Sequence, residues 1–373
     1  VKATIGRADL AGITGWAARV LAARPAIPVL AGIEITADDD HLTARGTDYD
    51  EWASATAPAR IGEPGTIVVP GRLFTEISKL LPDKPVELTA DDAMATVTCG
   101  PCTYKLHLIP HDDYPAIPDT PVTAGTIPAA ALSEALGAVL PAVSRTGGGT
   151  PLDGVHIESD GTTLQLCATD KYRAAAFKTP WTPVHKDDVK VTVNADKLSA
   201  LTRAAVEIGD MAICFSAMEG GGAGLIGFTV AGRSLAVRLI GGDYPSVSRL
   251  FPAEFTRQAT VDTEVLADAV KRATTVLGQH EPVILTVTQG EMLLAAGWES
   301  GAGFRESFPC ELEGGDWSTG YKPQYLLDGL IATRAARVKI GWTAERRPCL
   351  ITPAEETQPG FQYLLMPLIP GRN

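Results

Sequence analysis

What this 373-residue chain lacks narrows it first. No apolar run approaches the roughly 20 residues that a membrane-spanning helix requires, so no membrane partner is expected. The opening Val1-Lys2-Ala3-Thr4 lacks the form of a signal peptide, and the expected location is cytoplasmic. Six cysteines, most of them isolated in strand-like runs, are too few for a disulfide framework. Cys167, Cys214, Cys310 and Cys349 read as small buried apolar residues. His107 and His111 are the one histidine pair at a metal-ligand spacing, but that pairing works on a helix face and Pro110 here follows a strand-like run. No metal, no cofactor and no catalytic residue is expected. Neither a P-loop nor a Gly-x-Ser-x-Gly sequence occurs.

Two motifs nevertheless invite chemistry. Gly222-Ala223-Gly224-Leu225-Ile226-Gly227 has the dinucleotide spacing, yet Phe228-Thr229-Val230 follows where a helix is required. Cys99-Gly100-Pro101-Cys102 has the spacing of a thiol oxidoreductase site. The runs on either side of it are strand-like, which predicts a hairpin tip and leaves an oxidised pair there open. A thiol oxidoreductase using Cys99 and Cys102 is the competing function. With no persuasive catalytic constellation, the chain reads as a binding or scaffolding protein, not an enzyme.

What is present is repetition. Residues 4–48 run helix-like, then strand-like over 29–35 and 41–46, and close on Thr47-Asp48. Starting 122 positions later, residues 126–170 repeat that order and close on Thr169-Asp170. Asp113-Tyr114-Pro115 returns as Asp243-Tyr244-Pro245, and a looser third copy begins near Thr260. A period of this length is a whole domain, which predicts domains at 1–122, 123–253 and 254–373, joined through Pro-rich stretches. Each repeat offers two helices, at 7–24 and 70–81, 128–145 and 194–207, 262–277 and 323–337. Short runs alternating apolar and polar, such as Val86-Glu87-Leu88-Thr89, predict antiparallel hairpins. The expected fold class is α+β, each domain two helices packed on antiparallel sheet. Net charge is −12, but the six helical segments carry +3 and the remainder −15. The helices thus lean basic on an acidic protein, which helix propensity alone can also produce.

Four short pieces in order then carry a resemblance: Arg24-Pro25 before Ile27-Pro28-Val29-Leu30, Ala168-Thr169-Asp170-Lys171-Tyr172-Arg173, Asp243-Tyr244-Pro245 with Leu250-Phe251-Pro252, and Tyr363-Leu364-Leu365-Met366-Pro367-Leu368. Over essentially its whole length the chain resembles the bacterial DNA polymerase III beta subunit family, the sliding clamps, in a divergent actinobacterial or second-copy form. The resemblance implies a homodimer closed head to tail into a ring, helices lining the hole and sheets forming the outer wall. It implies double-stranded DNA encircled without sequence preference. It also implies partners that include the polymerase III alpha subunit, the clamp loader and other proteins bearing clamp-binding motifs. The function so implied is a replication processivity factor.

The resemblance places DNA contacts at Arg24, Arg145, Lys197 and Arg203. It places a peptide pocket at Leu152, Thr169, Lys171, Tyr172, Arg173, Ala174, Pro245, Arg249, Leu250, Tyr325, Pro348, Leu364, Leu365, Met366, Pro367 and Leu368. It places the ring joint at Tyr104 and Leu106 against Val276 and Leu277, so that a charge at Leu106 or Leu277 is expected to give folded monomers. Four departures from the family pattern stand out. Lys171 stands where a glycine or arginine is common, Ala174 stands where a leucine is common, the tail runs on as Ile369-Pro370-Gly371-Arg372-Asn373, and Gly147-Gly148-Gly149-Thr150 reads as a flexible loop. Loss of a leucine side chain weakens an apolar anchor by about 1–3 kcal/mol. A specialised clamp with altered peptide or inhibitor preference, tolerant of a pocket-binding antibiotic, is the alternative reading.

Overall fold

The computed structural model describes residues 1–118, 122–184, 189–199, 210–216, 224–278, 280–297, 302–355 and 360–368. Among these residues the strands form antiparallel sheets of 13, nine and four strands. The chain packs as two compact units. The first comprises Val1–Ala129, Pro183–His185 and Ala205–Leu239; the second comprises Ala130–Thr182, Lys186–Ala204 and Ile240–Asn373. Packing therefore cuts across the repeat. Strand Arg233–Arg238, late in the second copy, pairs with Glu51–Glu63 of the first.

Helices start where the 3.6-residue pattern predicts them, but most stop short of the expected ends at 24, 145, 277 and 337. Arg7–Ala17 and Gly71–Leu80 lie in the first unit; Thr263–Ala273 and Pro323–Thr333 lie in the second. Helix Ala129–Val139 begins the second copy. Residues 195–199 are helical, and the rest of the segment expected over 194–207 lies outside the described residues. Only Thr263–Ala273 carries a side-chain cap among the four helices of the first and third copies, Asp262 accepting from the Val265 amide at 2.9 Å. The others hold by packing. Gly71–Leu80, for example, buries Phe74 and Ile77, each such side chain contributing about 1.5–3 kcal/mol.

Alternation predicts the hairpins well, because one face of each sheet is buried. Val283–Thr288 and Met94–Cys99 bury alternate residues along their length. One expected strand is corrected. Residues 29–35 do not run as one strand: Pro28–Ala31 forms a 3-10 turn and the strand starts at Gly32. Pro28 fixes its own φ and has no N–H to give a ladder, so it starts a turn instead.

The thiol motif forms a hairpin tip, and the described part of the dinucleotide-like motif runs into a strand. Cys99 ends one strand, Cys102 begins the next, and the two pair across the tip as free thiols. The Cys99 thiol is buried and donates to the Pro82 carbonyl at 3.3 Å. Leu225 starts a strand within the dinucleotide-like motif, whose first residues lie outside the described ones. His111 sits in a 3-10 turn facing Glu34 at 3.3 Å, away from any helix shared with His107.

Candidate functional site

The site is organised by a tight turn at 169–173. Thr169 Oγ1 accepts from the Lys171 amide at 3.2 Å and donates to the Arg173 carbonyl at 2.7 Å. Asp170 Oδ1 accepts from the amides of Tyr172 and Arg173, each at 3.0 Å. This aspartate-capped geometry drives Lys171 to φ 77°, a left-handed conformation that costs a side-chain-bearing residue about 1–2 kcal/mol. The turn leaves Tyr172 63% exposed and sends Arg173 inward.

Arg173 is the electrostatic centre of the second unit. Its Nε donates to Asp170 Oδ2 at 2.9 Å, one terminal nitrogen donates to Asp328 Oδ2, and the guanidinium lies 4.0 Å from the Tyr325 ring centroid. Burial works to lower its pKa, yet Tyr363, Asp328 and Asp170 together raise it, so the cation is permanent. Tyr363 donates to the Tyr325 carbonyl at 2.8 Å, and burial pushes its hydroxyl pKa up. Asp328 and Tyr363 are absent from the expected site set. Nothing near Asp328 in sequence marks it, since its partner lies in another repeat.

Beside this charge centre lies an apolar floor. Strand Arg173–Pro180 pairs with Gln362–Leu365, which pairs with Cys349–Pro353. Ala174 stands opposite Leu364, and Leu364 opposite Leu350. Cys167, Ala174, Val247, Leu350 and Leu364 share one buried cluster, with Tyr244 and Phe251 packed against it. The Met366 amide donates to the Tyr172 carbonyl at 2.9 Å and the Leu368 amide to Gly320 at 2.8 Å, fixing the tail along the turn. Tyr172, Leu250, Met366 and Leu368 remain exposed around the floor. Leaving four large apolar side chains open beside an apolar floor marks an interaction surface. The other expected lining residues take varied positions: Leu152, Pro348 and Pro367 are half-buried, Pro245 and Arg249 are exposed, and Leu365 is buried. Val247 and Leu350 were missed by the sequence reading, although the apolar run Cys349-Leu350-Ile351 is a visible signal.

Tyr244 backs the turn. Its hydroxyl accepts from the Thr169 amide at 3.1 Å, and its ring stacks on His156 at 4.7 Å between centroids and 3° between planes. His156 also contacts Thr192 at 2.9 Å and Glu158 at 3.1 Å, and Glu158 pairs with Lys190 at 2.9 Å. Burial lowers the His156 pKa, against the pull of Glu158. Burial pushes the Cys167 thiol up to about 11, which keeps it protonated and unreactive near neutrality.

Of the expected DNA contacts, Arg24 and Arg145 are exposed, Lys197 is half-buried, and Arg203 lies outside the described residues. Arg145 lines a cleft of about 580 Å³ with Ser144, Asp153, Asn194, Asp196 and Ser199. The threonines flanking the glycine loop beside it are tied to Asp153. Asp153 accepts from the Thr146 hydroxyl at 3.3 Å, the Thr150 amide at 2.9 Å and the Thr150 hydroxyl at 3.3 Å. Glycine is required there because Gly147 and Gly149 take φ near 68° and 67°.

At the expected joint, Tyr104 is 37% exposed on the edge strand Cys102–His107, and Val276 and Leu277 are half-buried. Leu106 is corrected: at 4% exposure it belongs to the core of the first unit. Leu73 and Leu80 on helix Gly71–Leu80 are exposed instead.

Comparison with known proteins places this arrangement in a family. The DNA polymerase III beta subunit N-terminal domain matches residues 1–118, its central domain residues 126–246 and its C-terminal domain residues 248–369. The beta sliding clamp of Streptomyces coelicolor is 38% identical over 372 residues, covering 99% of both chains. Beta sliding clamp homolog GriR of Streptomyces muensis is 31% identical over 369 residues, covering 98% of both. The solved DNA polymerase sliding clamp from Bacillus subtilis has the same fold, with a TM-score of 0.90 at 23% identity over 99% of both chains. This chain belongs to the DNA polymerase III beta subunit family, the beta sliding clamps that act as processivity factors in bacterial DNA replication.

Proposed function

We propose that two copies of this chain close head to tail around duplex DNA and hold the replicative polymerase to it, with no catalysis and no cofactor of their own, in the cytoplasm. The repeat boundaries at 1–122, 123–253 and 254–373 are read as three clamp domains per copy. The observation that carries the partner side of this reading is the apolar floor of Ala174, Leu350 and Leu364, rimmed by Tyr172, Leu250, Met366 and Leu368. Such a surface takes short apolar peptides, with the tail at 364–368 as one wall. The peptides belong to the polymerase alpha subunit, the clamp loader and other motif-bearing proteins.

The ring joint is Tyr104 on the edge strand against Val276 and Leu277. An uncovered edge strand is an association liability, and pairing across copies covers it. A charge at buried Leu106 would unfold the first unit, so Tyr104→Glu is the informative variant. DNA is held by topology, with Arg24, Arg145, Lys197 and Arg203 supplying weak phosphate contacts that position without reading sequence. Light scattering tests the joint: a mass near twice 39.2 kDa is expected, falling to the monomer in Tyr104→Glu. After loading by a clamp loader, retention on circular but not linearised DNA is expected. A monomeric wild type, or equal loss from both DNAs, overturns the reading.

A second reading has its own support. Lys171 at φ 77° and Ala174 on the floor alter the turn and its apolar anchor, and the similarity to a clamp homolog at 31% identity accords with a specialised copy. Equal affinity of this chain and a common clamp for a motif peptide and a pocket inhibitor would remove that reading.

A further inference from the structure

The hairpin tip Cys99-Gly100-Pro101-Cys102 holds two thiols that neither the peptide floor nor the ring joint uses. Strand Met94–Cys99 ends and strand Cys102–His107 begins on these cysteines, which stand directly opposite each other in the register. Gly100 takes φ 56° and the ring of Pro101 fixes its φ at about −65°. These are the signs of a type II′ turn, whose twist matches that of the strands it joins. The tip is therefore rigid and holds the cysteines together. Directly opposed residues of a hairpin share one face, with Cα atoms about 4.5–5.5 Å apart, inside the range of about 4.4–6.8 Å that a disulfide spans.

The two thiols differ in access. Cys99 is 0% exposed, and its thiol donates to the Pro82 carbonyl at 3.3 Å and the Lys84 carbonyl at 3.5 Å. Lys84 also lies across the tip, its Cδ 3.0 Å from where a Cβ on Gly100 would stand. Cys102 is half-buried and opens the edge strand of its sheet, so a small oxidant meets it first. A strand follows Cys102, so the tip lacks the helix N-terminus that activates the thiol of a disulfide oxidoreductase. Bridging so short a loop constrains the unfolded chain little, which leaves redox chemistry, not stability, as the use of the pair. In a reducing compartment such disulfides are transient and redox-sensing. Cys167 stands opposite His156 and Ala176, and Cys349 opposite Leu365, so neither has a thiol facing it.

We infer that Cys99 and Cys102 form a reversible oxidation site, at which hydrogen peroxide converts the two thiols to a disulfide across the hairpin tip. The Cys102 sulfur attacks one peroxide oxygen, the O–O bond breaks, and a sulfenic acid and one water result. The Cys99 sulfur then attacks the sulfenic sulfur, the S–O bond breaks, and the hydroxyl leaves with the Cys99 proton as a second water. Two electrons from the two thiols thus reduce one peroxide to two waters. A small thiol reductant returns the pair, its thiolate attacking the disulfide and a second thiol resolving the mixed disulfide. Forming the bond takes the Cys99 proton from the Pro82 and Lys84 carbonyls and pins the start of the edge strand that carries Tyr104. The site belongs to the folded chain and does not depend on ring closure.

The test exposes the reduced chain to graded hydrogen peroxide, unfolds it, labels the remaining thiols with a maleimide and maps the peptide carrying both cysteines by mass spectrometry. Wild type should lose these two thiols together, the peptide becoming lighter by two hydrogens, while Cys167 and Cys349 are still labelled. Dithiothreitol should restore both. Cys102→Ser should leave Cys99 reduced, and Cys99→Ser should leave Cys102 as a sulfenic acid that dimedone traps. If Cys99→Ser fails to fold by circular dichroism, wild type and Cys102→Ser decide alone. Both thiols still free at a peroxide concentration that oxidises glutathione, or Cys102 bonded to another chain in place of Cys99, overturns the site. A monomeric mass in light scattering overturns the ring and leaves this site standing, so the two readings fail separately.

Discussion

The turns at 47–52 in the first unit and 169–174 in the second share one set of hydrogen bonds and carry opposite side chains. Asp48 Oδ1 accepts from the amides of Asp50 and Glu51, as Asp170 Oδ1 does from those of Tyr172 and Arg173. Tyr49 stands at φ 75° where Lys171 stands at 77°. At the next aligned positions the two part. Trp52 faces Ala236, which faces Gly227, whereas Ala174 faces Leu364, which faces Leu350. In the first unit one large ring fills the space, with Arg238 placed 5.6 Å from its centroid. In the second unit the strand carries only a methyl group, and the bulk comes from the neighbouring strands as a floor. The same backbone turn therefore stands beside a filled core in one unit and beside the proposed peptide floor in the other, and the difference lies in where volume is placed, not in chain path.

The largest expected effects are on stability. Arg173→Ala leaves Asp170 and Asp328 without their shared cation and should destabilise the second unit by about 3–5 kcal/mol, read by urea denaturation. Trp52→Ala should cost the first unit about 3–5 kcal/mol while leaving peptide binding unchanged; a loss of peptide binding there would break the contrast. Ala174→Trp copies the first turn into the second and should weaken a clamp-binding peptide at least tenfold, about 1.4 kcal/mol, measured by fluorescence anisotropy.

Smaller effects sharpen the contrast further. His156, stacked behind the second turn, has a folded pKa below its ordinary value of 6.5. Below about pH 6.5 the unfolded chain takes up a proton that the folded chain resists, so its contribution is full above that pH and is lost as pH falls toward the folded pKa. The melting temperature should therefore drop between pH 7.5 and 5.5 in wild type and drop less in His156→Phe. Lys171→Gly relieves the left-handed backbone but loosens the unfolded chain. Its net stabilisation should be at most about 1 kcal/mol, visible as a small rise in melting temperature.

How far the sequence speaks depends on the range of the interaction. The Thr-Asp turns are legible because their chemistry closes within a few residues, a side-chain oxygen capping amides just downstream. The hairpins and helices are legible from period. Pro28 defeats the strand expected over 29–35 because backbone restriction overrides an apolar run. The segment 147–150 reads from sequence only as a flexible loop, and the tie of Thr146 and Thr150 to Asp153 has no local signature, since it depends on how a later turn folds back. Leu106 looks like an edge residue, yet it is the one buried residue of its strand, while Tyr104 two positions before it stays exposed. The partners of Arg173, Asp328 and Tyr363, come from another repeat and have no local signature.

The most direct test of the account is calorimetric titration of a clamp-binding peptide into wild type, Ala174→Trp and Trp52→Ala. The account predicts saturable binding to wild type, at least a tenfold loss in Ala174→Trp, and wild-type affinity in Trp52→Ala. Wild-type affinity in a folded Ala174→Trp would contradict it, because the peptide would then lie somewhere other than on the floor beside Arg173.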